Sequence, residues 1–568
     1  MVAISPETPK ATPRVSGTRW WLLVAAAIYL VAISVTEPRP GGDAFIYISN
    51  ALSVRAGDTN ARSLWEFGHL FWRPLVYVLS PALMGLAPGG VAWSPDLKAM
   101  YGLIWLDRLT GLAAVLLMTD LLRRVTRRPA GIVGAILTMV WGTAFLGCAQ
   151  GGGPYIVAFA LSVLALWWNV AGPGGKAARA VGAGTAAAAA AAVWFTFVLI
   201  IPATACLIFF LGREERARER YGWMLLTLAS SGAVLIAVFA LGAGLAGCTS
   251  LSGLTEWVRS SSHGLQQTRT VLRAVSGCAR MLIDLGSSGV LLKRFLLKDP
   301  YNPVTAVQVV LRVVWRIALF WVFVVMIALG ACRAASGRAV LKVAAIATVP
   351  TLFFALVLYE PSSIERFLQL LPFLLLVFAA LWEIEGPLAR AARIVAIVFA
   401  FLLPLINSPV FFAGDAAENS LTRKRLQEFR RYAGRDDLLM TTVLTDPLTA
   451  FHNVVPYDPV NLPSPVRTAP IVVAAVAKTA DWRQRFAYSV NEAWHRGGAV
   501  WITKAALADR PPASTYWVEG DDSRVQWREL PEFLRRLEYD RDTPDVDGFR
   551  RIRHSASTGA ALRVAAAQ

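Results

Sequence analysis

Acidic residues are scarce in this chain. Its 568 residues carry 38 Asp+Glu against 56 Lys+Arg, a formal charge of +18. From residue 413 onward 22 Lys+Arg face 20 Asp+Glu, so the surplus lies earlier, where 34 basic residues face 18 acidic ones. Those bases sit between long apolar runs, the pattern that positive-inside orientation produces. A nucleic-acid partner is therefore not expected. Cysteine is sparse too: Cys148, Cys206, Cys248, Cys278 and Cys332 have no metal-ligand spacing, and neither a metal nor a cofactor is expected. Cys248 and Cys278 share one loop, and a disulfide between them is open if that loop is extracytoplasmic. The first apolar run, Trp20–Val35, lacks a small-x-small cleavage site, so it reads as an anchor and not a signal peptide. No internal repeat is visible.

Apolar residues are what the chain has in plenty, at 55% with a mean hydropathy of +0.49. They gather in runs of about 17–25 residues, each able to cross ~30 Å of hydrocarbon. The expected fold is an α-helical polytopic membrane protein of about eleven transmembrane helices, followed by a small extracytoplasmic α/β domain. Residues 1–19 form a polar tail whose Lys10, Arg14 and Arg19 place it in the cytoplasm. Residues 20–412 form the membrane domain, with outer loops at 37–99 and 248–305. The crossings run over Trp20–Thr36, Tyr101–Leu122, Gly131–Ala149, Pro154–Val170, two short helices within 178–212, Tyr221–Ala246, Val307–Gly330, Val340–Leu358, Phe367–Trp382 and Ile394–Phe412. Pro74–Leu86 is short and broken by Pro81; it reads as interfacial or re-entrant, with a full crossing as the alternative. In the second outer loop, Leu265, Leu272, Val275, Leu282 and Leu285 recur at helical spacing, which predicts an amphipathic helix on the membrane surface. Its seven bases, Lys293 and Arg294 among them, can meet anionic headgroups or hold a substrate phosphate.

From residue 413 the pattern changes to alternating charge with no run able to span a bilayer. Helical character over Glu418–Tyr432 and Thr479–Arg496 alternates with strand-like Leu438–Leu444, Ile471–Ala477 and Ala499–Thr503. The last dozen residues, rich in Ala and Ser, read as disordered.

Chemistry concentrates in Glu37–Pro74, just beyond the first helix. Asp43 can take a proton from an incoming hydroxyl or amine while the leaving group departs as phosphate. Tyr47, Trp65, Phe71 and Trp72 can stack on a sugar, cover a lipid or anchor at the interface. His69 and Arg73, four apart, share a face if the segment is helical; His69 is a second proton carrier or a phosphate donor, or makes a structural hydrogen bond.

This pattern resembles the GT-C superfamily of polyprenyl-phosphate-dependent glycosyltransferases, in its aminoarabinose-transferase and protein O-mannosyltransferase branch. The resemblance covers roughly residues 15–410 and rests on Asp43 after the first helix, on Arg73-Pro74 closing the first outer loop, on WLDRLTGLAAVLLMTDLLRRVTRRPAGIVGAIL with Arg108, and on ERFLQLLPFLLLVFAAL with Arg366. It implies inverting transfer of a sugar from a polyprenyl-phosphate donor to an envelope glycan, lipid or protein at the outer face of a bacterial inner membrane. Asp43 would be the general base. Arg73 and Arg366 would neutralise the departing phosphate, with Arg108, Lys293 and Arg294 next in line. One departure stands out: where the family carries a second acid, this chain has CAQGGGPYIVAF. Asp58, Glu66, Glu360, Glu365 or His69 would have to serve instead, or activity is lost. A lipid transporter or flippase, and a non-catalytic scaffold, are the alternatives; charges gathered at helix ends speak against transport.

Overall fold

Every apolar run expected to cross the membrane is helical, because a segment in hydrocarbon must satisfy its own backbone hydrogen bonds. The computed structural model describes residues 18–36, 38, 42–57, 59–86, 95–211, 216–260, 271–285, 290–296, 298–299, 302–357, 364–412, 437–440, 482–510, 529–540 and 549–567. The helices of the first part are α1 (Thr18–Val35), α2 (Gly42–Ala56), α3 (Trp72–Gly85), α4 (Pro95–Val125), α5 (Pro129–Val140), α6 (Thr143–Cys148), α7 (Tyr155–Ala171), α8 (Lys176–Val193), α9 (Ile201–Leu211) and α10 (Ala217–Ala246). After them come α11 (Leu251–Ser260), α12 (Val271–Arg280), α13 (Val290–Leu296), α14 (Ala306–Ala331), α15 (Ala335–Val357), α16 (Leu371–Ala380) and α17 (Pro387–Phe412). Among the described residues six helices are long and apolar enough to cross a membrane by length and composition, and four apolar helices are shorter.

The expected crossing Gly131–Ala149 is broken at Trp141–Gly142 into α5 and α6. Tertiary contacts hold the break open. Asn407 of α17 donates to the Trp141 carbonyl at 2.6 Å and to the Leu282 carbonyl at 2.7 Å. The Thr143 amide donates to the same Leu282 carbonyl at 3.2 Å. The region 178–212 divides as expected, into α8 and α9 around a 3-10 turn, Phe195–Ile200. The alanine-rich face of α8 packs on α7 and α10, and small side chains let the backbones approach. At Gly184 a Cβ would meet Ser230 Oγ at 2.0 Å.

Ends expected on the same side of the membrane meet one another. At one end, Glu383 accepts from Thr126 Oγ1 at 2.7 Å and from the Arg127 amide at 2.8 Å. At the other, the Phe71 amide donates to the Ala192 carbonyl at 3.0 Å, and Gln150 Nε2 donates to Thr36 Oγ1 at 2.7 Å.

The segment expected as the second outer loop differs from expectation in how its helix is held. Its helix α12 buries Ala274, Ser276, Gly277, Cys278 and Ala279 against α14, α15 and the 3-10 turn Ile364–Leu370, while Leu272 is exposed. Protein contact holds this helix, through its small residues and through the buried Leu282 and Leu285 of the turn that follows; Leu265 lies outside the described residues. Cys248 and Cys278 are both free thiols.

Beyond residue 413, β1 (Leu438–Met440) pairs in parallel with β2 (Val500–Thr503), and β3 (Phe549–Ile552) runs antiparallel to β2. On this sheet pack α18 (Trp482–His495), α19 (Glu529–Leu534) and α20 (Ala556–Ala567), sharing a core of Trp482, Phe486, Leu530, Leu534 and Leu562. The end expected to be disordered is thus helix α20, held because Leu562 and Ala565 are buried. Glu418–Tyr432 and Ile471–Ala477 lie outside the described residues.

Candidate active site

The stretch expected as the first outer loop packs against α4, α8 and α10. After α2 come two 3-10 turns, Ala61–Leu64 and Phe67–His69, then α3. Aromatic packing pins this path. The Phe67 ring lies 4.6 Å from Phe195, 5.1 Å from Phe239 and 5.4 Å from Trp257, centroid to centroid. Trp257 Nε1 donates to the Trp65 carbonyl at 2.7 Å. Leu70 presses on Gly242 of α10, where a Cβ would sit 2.4 Å from its methyl.

Within this frame Tyr47, Glu66, His69 and Arg73 form one cluster. Arg73 Nη2 pairs with Glu66 Oε2 at 2.6 Å, and His69 Nδ1 lies 3.7 Å from the same oxygen. Arg73 Nη1 also donates to the Ser63 carbonyl at 3.1 Å, and its guanidinium lies 5.3 Å over the Tyr47 ring. The Tyr47 hydroxyl is 3.2 Å from His69 Nδ1. Tyr47, Glu66 and His69 are all buried. Asp43 is the second residue of α2, one turn before Tyr47.

From this cluster a line of rings leads to Arg366. His69 lies 6.5 Å from Tyr155, Tyr155 lies 4.7 Å from Trp194, and the Arg366 guanidinium lies 5.4 Å over the Trp194 ring. Arg366 sits buried in the 3-10 turn Ile364–Leu370. Two stretches almost three hundred positions apart are therefore joined through side-chain contacts. Tyr155 and Trp194, which make the junction, carry no sequence signal beyond being aromatic at helix ends.

Other candidates are placed differently. Trp72, expected to stack on a sugar, cover a lipid or anchor at the interface, is wholly buried, as α3 turns it into the core. Arg108 donates from Nη2 to Gln150 Oε1 at 3.0 Å and lies 5.1 Å over Trp105. Arg294 is drawn into an ion pair with buried Asp299 at 3.3 Å; Lys293 precedes it on α13. Of the alternative acids, Glu66 holds Arg73, and Asp58 and Glu360 lie outside the described residues. Glu365 stands beside Arg366 at the start of its turn. One carboxylate escaped sequence reasoning: Asp107, fully buried, accepts from the Gly153 amide at 3.1 Å. An acid inside an apolar helix was itself the available signal.

Beside Arg366 an apolar groove of about 280 Å³ opens between α12, α14, α15 and α16, lined by Cys278, Trp321, Ala344, Thr348, Phe367 and Phe373 among others. Its α15 wall runs from Leu341 to Leu352, ~17 Å of helix. Among the described residues no group of three His, Cys, Asp or Glu is placed to hold a metal ion.

No family model matches the chain, and no curated protein does. Solved structures do match. The chain is similar to ArnT from Cupriavidus metallidurans in the apo state, at 12% identity and TM-score 0.52, over 96% of this chain and 99% of that one. It is similar to the same protein bound to undecaprenyl phosphate, at 11% identity and TM-score 0.53, over the same shares. At such identity the likeness is one of fold, and it runs over nearly the whole chain.

Proposed function

We propose that this chain is an integral membrane glycosyltransferase that moves a sugar from a polyprenyl-phosphate donor to an acceptor at the outer face of the membrane, with residues 413–568 on that same side. The observation that carries it is the run of contacts from Arg73 through Tyr47, His69, Tyr155 and Trp194 to Arg366, in a fold shared with ArnT. It joins two cations, one from each stretch that the sequence marks, across a floor of rings. A neighbour of this fold is bound to undecaprenyl phosphate, and the groove beside Arg366 offers this chain a bed for an isoprenoid tail.

The reaction is a single displacement. Asp43 takes the proton of the acceptor hydroxyl or amine, and the acceptor atom attacks the anomeric carbon from the face opposite the phosphate. The bond from that carbon to the phosphate oxygen breaks, and its electron pair leaves on the polyprenyl phosphate. Arg73 and Arg366 stabilise the charge that gathers there, in a site that excludes water. Glu66 fixes the Arg73 guanidinium, and Tyr47 holds it from below and ties it to His69. A buried intramembrane carboxylate such as Asp107 would also suit a transporter, yet Asp107 is engaged by the glycine turn.

The test is transfer from a polyprenyl-phosphate sugar by purified protein, comparing wild type with Asp43→Asn. Product from the wild type and none from the variant, at equal melting temperature, is the expected result. Equal product from both would sink the assignment.

A further inference from the structure

The place where a second acid is missing has a structure of its own. Gln150–Gly153 forms a tight turn between α6 and α7, and the adjacent pair Asp107-Arg108 on α4 grips it from two directions. Asp107 is wholly buried, and its carboxyl group accepts from the Gly153 amide at 3.1 Å. Its Oδ1 atom is buried with no hydrogen-bond partner among the described residues. Arg108 donates to Gln150 Oε1 at 3.0 Å. The Arg108 carbonyl, in turn, accepts from the Tyr29 hydroxyl of α1 at 2.7 Å.

The turn then reaches outward on both sides. Gln150 Nε2 donates to Thr36 Oγ1 at 2.7 Å, and that hydroxyl donates to the Ala32 carbonyl at 2.6 Å, so the last turn of α1 is tied down. Gly152 adopts φ +72, the left-handed region that favours glycine. A Cβ there would lie 2.8 Å from Met100 Sδ and 3.4 Å from the Ala44 methyl on α2. The turn is therefore wedged between α4 and the start of α2. Along the chain, Thr36 and Ala44 stand on either side of the stretch that contains Asp43.

We propose that Asp107 and Arg108 are positioning residues: through the Gln150–Gly153 turn they set where Thr36 and Ala44 stand, and so where Asp43 meets the acceptor. This rests on the reading of Asp43 as the base. Burying a carboxyl group is costly, and a turn can be closed by apolar packing alone; a carboxyl that grips the Gly153 amide gives the rigidity that a base needs. Misplacing a reacting group by about 1 Å costs on the order of 10²-fold in rate.

Three variants separate positioning from simple stability. Gln150→Glu still accepts from Arg108 but cannot donate to Thr36. Gln150→Met breaks both links at similar volume. Asp107→Asn keeps an acceptor for the Gly153 amide and replaces the carboxyl group by an amide. Each is purified in detergent, and kcat, KM for the donor, melting temperature and hydrogen exchange over residues 37–47 are measured. Gln150→Glu is expected to melt with the wild type while kcat falls by about 10–10²-fold, KM for the donor stays within about twofold, and exchange over 37–47 rises. Gln150→Met and Asp107→Asn should show the same kcat-only loss. Unchanged kcat together with unchanged exchange in Gln150→Glu overturns the proposal, as does loss that falls on KM instead. A wild type with no transfer activity would fault the reading of Asp43 as base; the exchange measurement then still decides whether the turn holds the segment around it.

Discussion

Glu66→Gln gives the sharpest measure of how the cluster is balanced. Glu66 and Arg73 meet at 2.6 Å with side chains 9% and 13% exposed. At an effective dielectric of about 20, a pair this close attracts by roughly 6 kcal/mol before desolvation is counted. Removing one partner of a buried pair typically costs about 3–5 kcal/mol, since the other is left without its counter-charge. Glutamine keeps an oxygen toward Arg73, so a loss of about 2 kcal/mol is expected. The bond from Arg73 to the Ser63 carbonyl and its seat over Tyr47 remain. In the proposed site the phosphate of the lipid can replace the lost charge. A polyprenyl monophosphate at 100 times its Kd stabilises the wild type by about 2.7 kcal/mol. In the variant a tenfold tighter Kd would add about 1.4 kcal/mol at the same concentration. The assay is thermal unfolding in detergent with polyprenyl monophosphate, and with the uncharged polyprenol as control for the tail. The variant should melt below the wild type without ligand and recover most of the difference with the phosphate, but not with the polyprenol. An unchanged melt, or an equal ligand increment in both proteins, would refute the assignment of Arg73 to the phosphate.

Two further outcomes follow from the groove beside Arg366. Ala344→Trp should fill it: excluding three methylene-sized groups at ~0.8 kcal/mol each weakens a long-chain donor roughly 50-fold in KM, while a donor of two isoprene units reacts as with the wild type. Burial pushes the Cys278 thiol up to about 12 from 9.0, so at pH 8 it holds about 10³-fold less thiolate than an ordinary cysteine. Cys278 should therefore resist alkylation in the folded protein. Because burial favours the neutral thiol, its contribution to stability is intact below about pH 9 and declines as pH rises toward 12. A Cys278 alkylated at the rate of exposed Cys332 would contradict the buried position.

Much of the organisation was legible from composition alone. The apolar runs gave the helices and the basic turns gave their expected sides, and Thr126–Glu383 and Gln150–Thr36 join ends that the charges assign to the same side. Glu37–Pro74 stood out because polar and aromatic residues are dense there beside a membrane body. The errors share a cause. Trp72 reads as a surface aromatic and is core, because the direction of α3 decides its exposure. Helix α12 reads as lying on the membrane surface, but it packs on α14 and α15, with Leu282 and Leu285 after it buried in the core. The break at Trp141 is enforced by Asn407, far off in the chain.

By itself, the sequence determined a many-helix membrane body, a charged polar segment after it, and the residue types that an outer-face transfer would use. Periodicity and charge are local quantities, and these features depend on nothing else. Tertiary structure decided which of those residues meet. It put Glu66 against Arg73, carried the line of rings from His69 through Tyr155 and Trp194 to Arg366, and set Asp107 under the glycine turn. Those contacts depend on how helices stack and where their ends fall, and no periodicity within one helix encodes the register of its neighbour.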